Sequence, residues 1–504
     1  MAISAGALVD SLTEGQRNAA GSRYERIFVE AGPGTGKTTV SAFRFGALRF
    51  DPEARGDPRA VLAVSFTRAA TKHLRRRIQR TWGPTALAWP HRVVTLDTVM
   101  VELLHALLSE GLVKWPGGHV VLEVHDSWRS FGSSSFNRTS YQLELSGDTV
   151  VAQRVYLPAN RPGIPGTEIL PHIQRGVATH EDVRSVLEQA LAKPEMRAFI
   201  EQRLRTSTRA LIVDEVFDAN DLDITVIEVA CAGQIELSAV GDPWQALYVF
   251  RGARPDAVPK LIERSEIHSY VLDRSFRWET DEQRNLASEL RAGRPVDLAP
   301  VTIDSADDLD VVLGLTWKEL WDLGGSVLPL AFHGFKGGFE EAAATLLLDY
   351  VTRTVLDERA TYLRDALTAL AIKNEPAVDE ISGDLQRVVE LLRGGGRSAP
   401  KNAYLRLIDG VAKISPRQLR APHPSHTTRL KLIGERLAHP GRPIKGLTSH
   451  QAKGGEWDLV GVRLDDHARQ RLTAGLSVDN DSDRKLYVAC TRARRRTVSV
   501  EPKE

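Results

Sequence analysis

A glycine-rich segment near the N-terminus carries the residue types that bind phosphate groups. Residues 31–38 read Ala-Gly-Pro-Gly-Thr-Gly-Lys-Thr and lie between an apolar run at 27–29 and a helical stretch. Glycines allow backbone N–H groups to surround phosphate oxygens, and a helix N-terminus adds partial positive charge. In this pattern Lys37 reaches the β- and γ-phosphates and the Thr38 hydroxyl binds Mg²⁺. The spacing predicts a nucleotide site rather than an ordinary strand-to-helix turn, although Ala31 stands where the strict pattern has glycine.

Two adjacent carboxylates follow another apolar run and supply the second half of such a site. Asp214 and Glu215 come directly after residues 210–213, which read Ala-Leu-Ile-Val. Asp214 is expected to hold Mg²⁺ through water, and Glu215 to orient and deprotonate the attacking water. An Asp-Glu pair after a strand also caps helices. The phosphate loop in the same predicted sheet favours the catalytic interpretation.

Apolar runs separated by helical stretches indicate the elements that hold these residues. Strands that are apolar throughout are typical of a parallel sheet covered on both faces. The first series is predicted at 27–29, 61–64, 93–95, 210–213 and 237–240, and the second at 270–272, 327–330, 459–462 and 497–500. We therefore expect an α/β fold with two parallel sheets.

Composition and charge exclude several classes of protein. The chain has 504 residues, with 66 Lys and Arg against 65 Asp and Glu. This balance excludes a histone-like polycation and an acidic tail protein, but not a local basic groove. The two cysteines, Cys231 and Cys490, exclude a disulfide framework and a zinc site built on cysteine pairs. The N-terminus is a poor signal peptide and no membrane span is expected, so a cytoplasmic location is predicted.

Short motifs in a fixed order give the chain a family resemblance. The sequence resembles the superfamily 1 helicases of the UvrD/Rep/PcrA type. The matching segments are 12–16 (Q motif), 64–70 (motif Ia), 94–98 (Ib), 213–218 (II), 240–253 (III), 272–277 (IV), 448–457 (V) and 486–494 (VI). The resemblance implies two RecA-like P-loop NTPase domains, each with a mostly helical insertion. It places the first core at 1–100 and 201–264, with an accessory insertion at 101–200. The second core is placed at 265–350 and 441–504, with a reduced insertion at 351–440.

The resemblance also implies roles in ATP and Mg²⁺ binding. Gln16 reads the adenine edge, Phe276 stacks on the adenine, and Glu456 lies at the ribose. Gln245 senses the γ-phosphate, Arg277 touches it, and Arg492 is the arginine finger. Lys37, Glu215, Gln245, Arg277 and Arg492 are the implied catalytic residues, and Thr38 and Asp214 the metal ligands. The rest of the implied nucleotide site is Ala31, Gly32, Pro33, Gly34, Thr35, Gly36 and Thr39.

The residues implied to contact nucleic acid come from four motifs. They are Phe66, Thr67, Arg68, Tyr248, Phe250, Arg251 and His450. On the helix after motif Ia, Ala70, Leu74 and Ile78 are expected to face the core, which leaves Arg68, Lys72, Arg75, Arg76, Arg77 and Arg80 largely exposed. A second basic cluster comprises Arg492, Arg494, Arg495 and Arg496. A solvated surface is the alternative for each basic residue. Trp82, Trp89, Trp115, Trp317 and Trp321 have no motif context and are expected in the core.

Departures from the family pattern keep two functions open. Phe217 replaces a glutamine of motif II, Asp97 a histidine of motif Ib, and Thr39 an arginine beside the adenine. The first function is an ATP-dependent DNA helicase or translocase on single-stranded or tailed DNA, with 3′–5′ polarity implied by the family and a role in DNA repair. The alternative is a DNA-sensing NTPase subunit with weak or no unwinding, similar to the helicase-like subunit of Gabija-type anti-phage systems. That alternative implies a nuclease or ATPase partner subunit.

Overall fold

The computed structural model of the chain describes residues 11–128, 131, 139–156, 164, 166–303 and 308–502. The chain divides into two compact units, Met1–Phe276 and Arg277–Glu504. Each unit is built on a six-stranded sheet in which every neighbouring pair of strands is parallel. The expected α/β fold with two parallel sheets is confirmed.

The sheet of the first unit runs in the order β10-β1-β9-β8-β2-β3. Its strands are β1 (Arg26–Ala31), β2 (Ala60–Ser65), β3 (Arg92–Thr95), β8 (Thr208–Asp214), β9 (Glu236–Gly241) and β10 (His268–Leu272). The buried strands β2 and β8 are lined by small and β-branched side chains, which pack well against helices on both faces. The carboxyl ends of parallel strands all meet at one edge, so the loops after them are brought together.

The helices of the first unit cover this sheet and build its insertion. They are α1 (Glu14–Ala20), α2 (Lys37–Arg49), α3 (Arg68–Trp82), α4 (Leu96–Ser109), α5 (Gly166–Ile173), α6 (His180–Leu191), α7 (Pro194–Ser207), α8 (Asp221–Ala232) and α9 (Val258–Arg264). The insertion adds β4 (Glu123–His125) paired with β7 (Val177–Thr179), and the hairpin β5 (Thr139–Ser146) and β6 (Thr149–Tyr156). One hydrophobic cluster joins α4, α6 and the hairpin to the sheet, so the insertion shares the core of its unit.

The strand predicted at residues 270–272 belongs to a different sheet from the expected one. It was expected to open the second α/β series, but β10 pairs in parallel with β1 and forms an edge of the first sheet. The first unit consequently ends at Phe276 rather than at residue 264. An apolar run identifies a strand but not its neighbour, and here the open side of β1 accepts it.

The second unit has the sheet order β11-β16-β15-β12-β14-β13. The strands are β11 (Pro300–Thr302), β12 (Val311–Gly314), β13 (Val327–Pro329), β14 (Ile444–Thr448), β15 (Trp457–Arg463) and β16 (Ala493–Glu501). Outside its insertion, the described part of this unit contains α10 (Asp281–Arg291), α11 (Trp317–Leu323), α18 (Ser449–Ala452), α19 (Asp466–Ala474) and α20 (Asp481–Cys490).

The insertion of the second unit is a bundle of helices with its own hydrophobic core. Its members are α12 (Phe339–Leu356), α13 (Leu363–Ala369), α14 (Pro376–Asp379), α15 (Ser382–Arg393), α16 (Ala399–Val411) and α17 (Pro424–Leu437). Tyr404 and Leu407 are fully buried at its centre. Within the described ranges, no helix has the length and apolar character needed to span a bilayer.

The tryptophans show where residue type is a poor guide to burial. Trp115, Trp317 and Trp321 are buried, as expected. Trp82 is partly buried against Phe43. Trp89 is 82% exposed, so its predicted place in the core is wrong. It precedes the edge strand β3, where few elements are available to cover it.

Candidate functional site

The glycine-rich loop joins the carboxyl end of β1 to the start of α2. Gly34 and Gly36 adopt left-handed backbone conformations, with φ of 73° and 91°. Lys37 Nζ donates to the Ala31 carbonyl over 3.0 Å, and Thr35 Oγ1 donates to the Gly32 carbonyl over 2.9 Å. These contacts fold the loop over the N-terminus of α2, where backbone N–H groups are available to an anion.

Gln16 lies against this loop, as the resemblance implies. Thr13 and Gln16 form a capping box at the start of α1, which fixes the position of the Gln16 side chain. Gln16 Nε2 then donates to the Thr35 carbonyl over 2.8 Å. The positive φ of Gly36 favours glycine, and a Cβ atom there would lie 2.6 Å from Gln16 Nε2, so it would displace the Gln16 amide.

The predicted metal ligand Asp214 is buried at the carboxyl end of β8. It accepts a hydrogen bond from Ser41 Oγ over 3.2 Å, which links β8 to α2. Glu215 follows in a left-handed conformation with φ of 62°. Sequence reasoning missed Ser41, whose only signal is its place one helical turn after Lys37. Ser41 and Asp214 are separated by 173 positions along the chain.

Gln245 is held at the same sheet edge by a residue that sequence reasoning did not assign. Asp242 follows β9 and caps a short 3-10 turn, and both side chains are buried. Gln245 Nε2 donates to Asp242 Oδ2 over 2.6 Å, which fixes the orientation of the amide. An aspartate directly after an apolar strand was the available signal.

The end of β10 returns the chain to the phosphate loop. Ser275 Oγ donates to the Pro33 carbonyl over 2.8 Å, and the Phe276 N–H donates to the Gly34 carbonyl over 2.9 Å. The Phe276 ring is 53% exposed, with the Arg274 guanidinium 5.1 Å from its centre. An exposed aromatic ring tied to a phosphate loop is available for stacking on a base.

The residues of the first unit fit a nucleoside triphosphate with Mg²⁺. Among the described residues no cluster of three His, Cys, Asp or Glu forms a metal site by itself. Mg²⁺ is commonly held by one or two carboxylates together with substrate phosphates, so Asp214 and the Thr38 hydroxyl suffice. The left-handed Gly34 and Gly36, followed directly by the N-terminus of α2, form a loop that suits phosphate oxygens.

In the second unit, three predicted residues meet at the amino edge of the sheet. Arg277 Nε donates to Glu456 Oε2 over 3.2 Å, and its NH1 donates to the Thr491 carbonyl over 3.1 Å. Burial lowers the pKa of Arg277, and the Glu456 carboxylate opposes that shift. Arg492 is fully buried, and its Nε donates to the Val488 carbonyl over 3.0 Å. Glu456 precedes β15 and Arg492 precedes β16.

His450 lies elsewhere in the second unit. It is on α18, directly after the carboxyl end of β14, whereas Arg277, Glu456 and Arg492 lie at the opposite edge of that sheet. The structure therefore separates the predicted nucleic-acid residue from the predicted nucleotide residues of this unit.

The motif Ia residues lie at the carboxyl end of β2. Thr67 caps α3 by accepting the Ala70 N–H, and Phe66 packs partly against the core. Arg68 forms a two-pronged ion pair with Asp126 of the insertion, at 2.7 and 3.2 Å, with both side chains exposed. Leu74 and Ile78 are fully buried, as predicted.

The outer face of α3 is strongly basic. Lys72, Arg76 and Arg80 are exposed, and no carboxylate of the described residues lies within ion-pair distance of them. Arg75 instead donates to the Val93 carbonyl over 2.7 Å. Lys72, Arg76 and Arg80 can therefore contact successive phosphates of a nucleic-acid strand.

An aromatic cluster follows β9 in the same unit. The rings of Tyr248 and Phe250 lie 6.1 Å apart, and the Arg251 guanidinium lies 5.3 and 5.4 Å from their centres. Phe250 is 64% exposed. Stacking on such a ring contributes about 1–3 kcal/mol per base of single-stranded nucleic acid.

Two further observations concern the second basic cluster and Phe217. The second basic cluster is not one exposed surface, because Arg492 is buried, Arg494 pairs with Asp458 at 2.7 Å and Arg496 with Glu282 at 3.5 Å. Phe217 is buried beside Phe28, with ring centres 6.0 Å apart. A Cβ atom on Gly241 would lie 2.8 Å from its ring, so Phe217 is a packing residue in this structure.

Comparison with known proteins identifies what this arrangement is similar to. The family model of the UvrD/REP helicase N-terminal domain matches residues 12–117 and 175–265. DNA helicase II of Escherichia coli K12 is 24% identical over 282 residues, which is 51% of this chain and 36% of that protein. DNA helicase II of Haemophilus influenzae is 25% identical over 370 residues, 68% of this chain and 47% of that protein. A putative ATP-dependent DNA helicase YjcD of Bacillus subtilis is 22% identical over 249 residues. The matches span between about a third and a half of the length of these relatives.

Proposed function

We propose that this chain, a UvrD-like superfamily 1 protein, is an ATP-dependent DNA helicase or translocase that acts on single-stranded or tailed DNA. The observation that carries the proposal is the meeting of a phosphate loop, a buried Asp214 and Glu215 at one edge of a parallel sheet. The relatives are at most 25% identical and are matched over less than half of their length, so the activity and the substrate of this chain are both proposed.

The chemistry follows from the positions of the first unit's side chains. Lys37 neutralises charge on the β- and γ-phosphates, and Glu215 accepts the proton of the attacking water. Asp214 and Thr38 would hold Mg²⁺, which supplies charge neutralisation at the phosphate oxygens when bound. Gln245, oriented by Asp242, contacts the γ-phosphate or its water. On the family resemblance alone, Arg277 and Arg492 are proposed to stabilise the charge of the transferring phosphoryl group.

DNA binding is proposed for two surfaces of the first unit. The cations of α3 contact phosphates, and the half-buried Tyr248 ring and the exposed Phe250 ring stack on bases. His450 is a proposed contact from the second unit. Translocation in the 3′–5′ direction is taken from the family resemblance alone.

The hydrolytic part is tested by two substitutions in the phosphate site. Lys37→Ala should abolish ATP hydrolysis, and Glu215→Gln should reduce turnover about 10²–10⁴-fold, the usual contribution of a general base. Glu215→Gln should still bind Mg-ATP, because the loop and Asp214 remain. Turnover near wild type in Glu215→Gln would remove Glu215 from the proposed mechanism.

The helicase part is tested with strand-displacement substrates that carry a 3′ or a 5′ single-stranded tail. Unwinding is expected with the 3′ tail only. No unwinding of either substrate, together with DNA-stimulated ATPase, would reject the helicase activity and leave the nucleotide chemistry intact.

One observation favours a second candidate, a DNA-sensing NTPase subunit with weak or no unwinding. Phe217 is a packing residue where the resemblance implies a glutamine that couples the nucleotide site to other motifs. This candidate requires a nuclease or ATPase partner subunit, proposed from the resemblance to anti-phage systems. Robust unwinding by the isolated chain would reject it.

A further inference from the structure

A guanidinium from the basic helix reaches the first turn of the phosphate-loop helix. Arg77 NH2 of α3 donates to Thr39 Oγ1 of α2 over 2.6 Å. Thr39 lies two residues after Lys37. The arginine therefore brings a positive charge to the nucleotide site from an element that follows the predicted DNA-gripping motif.

This contact continues a set of residues that begins at Gln16. The Gln16 amide bonds to the Thr35 carbonyl, and a Cβ atom on Gly36 would lie 2.6 Å from Gln16 Nε2 and 3.7 Å from Thr39 Cβ. Gln16, Gly36, Thr39 and Arg77 consequently lie side by side on one flank of the loop. We call these four residues the base flank.

The electrostatic surroundings leave Arg77 available to a ligand. It is exposed, and no carboxylate of the described ranges lies within ion-pair distance of it. Burial lowers the pKa of the neighbouring His73, and Arg77, Arg80 and Arg76 lower it further. Only one of the five guanidinium donors is used by Thr39.

A planar guanidinium in this position suits the base of a nucleotide better than its phosphates. Phosphates bind at the loop and at the N-terminus of α2, whereas the base flank starts at an amide that can pair with a base edge. A guanidinium stacks favourably on an aromatic face. An ammonium group lacks the planar surface that gives this geometry.

We propose that Arg77 contacts the base of the bound nucleotide and contributes to base affinity, a role that rests on the proposed nucleotide-binding function. It does so from α3, whose other cations are proposed to contact DNA. Arg77 thus joins the base flank to the DNA-binding helix.

Isothermal titration calorimetry of the full chain with two ligands tests this assignment. Measurements use the Glu215→Gln background, so that Mg-ATP is not consumed, and compare Mg-ATP with inorganic tripolyphosphate, which has no base. Arg77→Ala is expected to weaken Mg-ATP binding about tenfold and tripolyphosphate binding less than twofold. Arg77→Lys should bind Mg-ATP more weakly than the parent. Arg55→Ala removes an exposed arginine of the same unit and should leave both affinities unchanged.

Several results would overturn the assignment. An unchanged Mg-ATP affinity in Arg77→Ala is one, and an equal loss of tripolyphosphate affinity in that variant is another. Full Mg-ATP affinity in Arg77→Lys is the third, because it would show a requirement for charge alone. Equal melting temperatures of parent and Arg77→Ala check that the exposed substitution leaves the fold intact. A parent that binds neither ligand would reject the proposed function itself, which separates the two failures.

Discussion

Two buried side chains of the first unit, His91 and Phe217, affect the stability of the protein in ways that can be measured. His91 is buried, and its Nδ1 accepts the Val61 N–H over 3.0 Å. Burial, with Arg49 and Arg209 nearby, lowers the pKa of His91 to about 4. The native imidazole therefore stays neutral and accepts this hydrogen bond at a pH at which a histidine in the unfolded chain begins to bind a proton.

The sign of the resulting pH dependence follows from proton binding. Between about pH 6.5 and pH 4 the unfolded chain binds more protons at His91 than the native chain does, so this residue lowers stability as the pH falls. The melting temperature of His91→Asn should fall less than that of wild type over this range. His467→Asn, at an exposed histidine, should retain the wild-type slope. Parallel slopes for wild type and His91→Asn would contradict the lowered pKa.

Phe217 offers a second test at the residue scale. Phe217→Gln restores the glutamine implied by the family but places an amide beside Phe28 and Gly241 in the core. We expect a loss of about 3 kcal/mol in the free energy of unfolding, from lost packing and an unsatisfied amide. Chemical denaturation measures it. A variant as stable as wild type that unwinds DNA better would show that the position is functional rather than structural.

At the scale of elements, one arginine joins three helices of the first unit. Arg184 of α6 donates from Nε to Asp97 of α4 over 2.7 Å and from NH2 to Asp223 of α8 over 3.0 Å. Asp223 also accepts the Asn220 N–H over 2.9 Å, which caps α8 after the Asp214–Glu215 segment. Burial raises the pKa of Asp223, and Arg184 opposes that shift. Asp97, which replaces a histidine of the family pattern, thus forms an ion pair with Arg184 of the insertion.

Loss of this arginine should destabilise the packing of the insertion. Arg184→Met leaves the Asp223 carboxylate buried without its cation, at a cost of about 2 kcal/mol. Thermal unfolding and protease sensitivity of α6 report the effect, and DNA stimulation of ATPase should fall with it. Arg175→Ala removes an arginine with only local contacts and is the matched control. An equal response of both variants would contradict the assigned role.

The sequence could predict most strands because buried parallel strands are uniformly apolar. It could predict the phosphate loop because the chemistry of phosphate binding fixes the positions of its glycines, lysine and threonine. It could not predict that β10 completes the first sheet, since a strand's neighbour depends on which edge remains open. Contacts such as Ser41 to Asp214 and Arg77 to Thr39 depend on the packing of separate elements. Burial of Phe217 and exposure of Trp89 likewise depend on their neighbours rather than on residue type.

At the scale of the molecule, a near-zero total charge coexists with a strongly basic face of α3 in the first unit. The formal net charge is +1, while α3 carries cations that have no carboxylate within ion-pair distance in the described part of the chain. Field strength at a binding surface depends on this local distribution rather than on the total.

Substitution of three of these cations should change the salt dependence of DNA binding. Lys72→Gln, Arg76→Gln and Arg80→Gln together should weaken single-stranded DNA binding and reduce the slope of log K against log salt by about 2. Fluorescence anisotropy over a salt series measures this slope. Arg393→Gln, Arg397→Gln and Lys401→Gln remove the same charge from α15, α16 and the turn between them. A similar change in that control would show a general charge effect.

The last residues of the first unit connect the phosphate loop to the start of the second unit. Ser275 and Phe276 are hydrogen bonded to the carbonyls of Pro33 and Gly34, and the next residue, Arg277, begins the second unit. The phosphate loop and the start of the second unit are therefore joined by two hydrogen-bonded residues and one peptide bond. For the proposed DNA-stimulated ATPase, insertion of a few glycines after Phe276 is expected to lower the stimulation of hydrolysis by DNA, measured as phosphate release with and without single-stranded DNA.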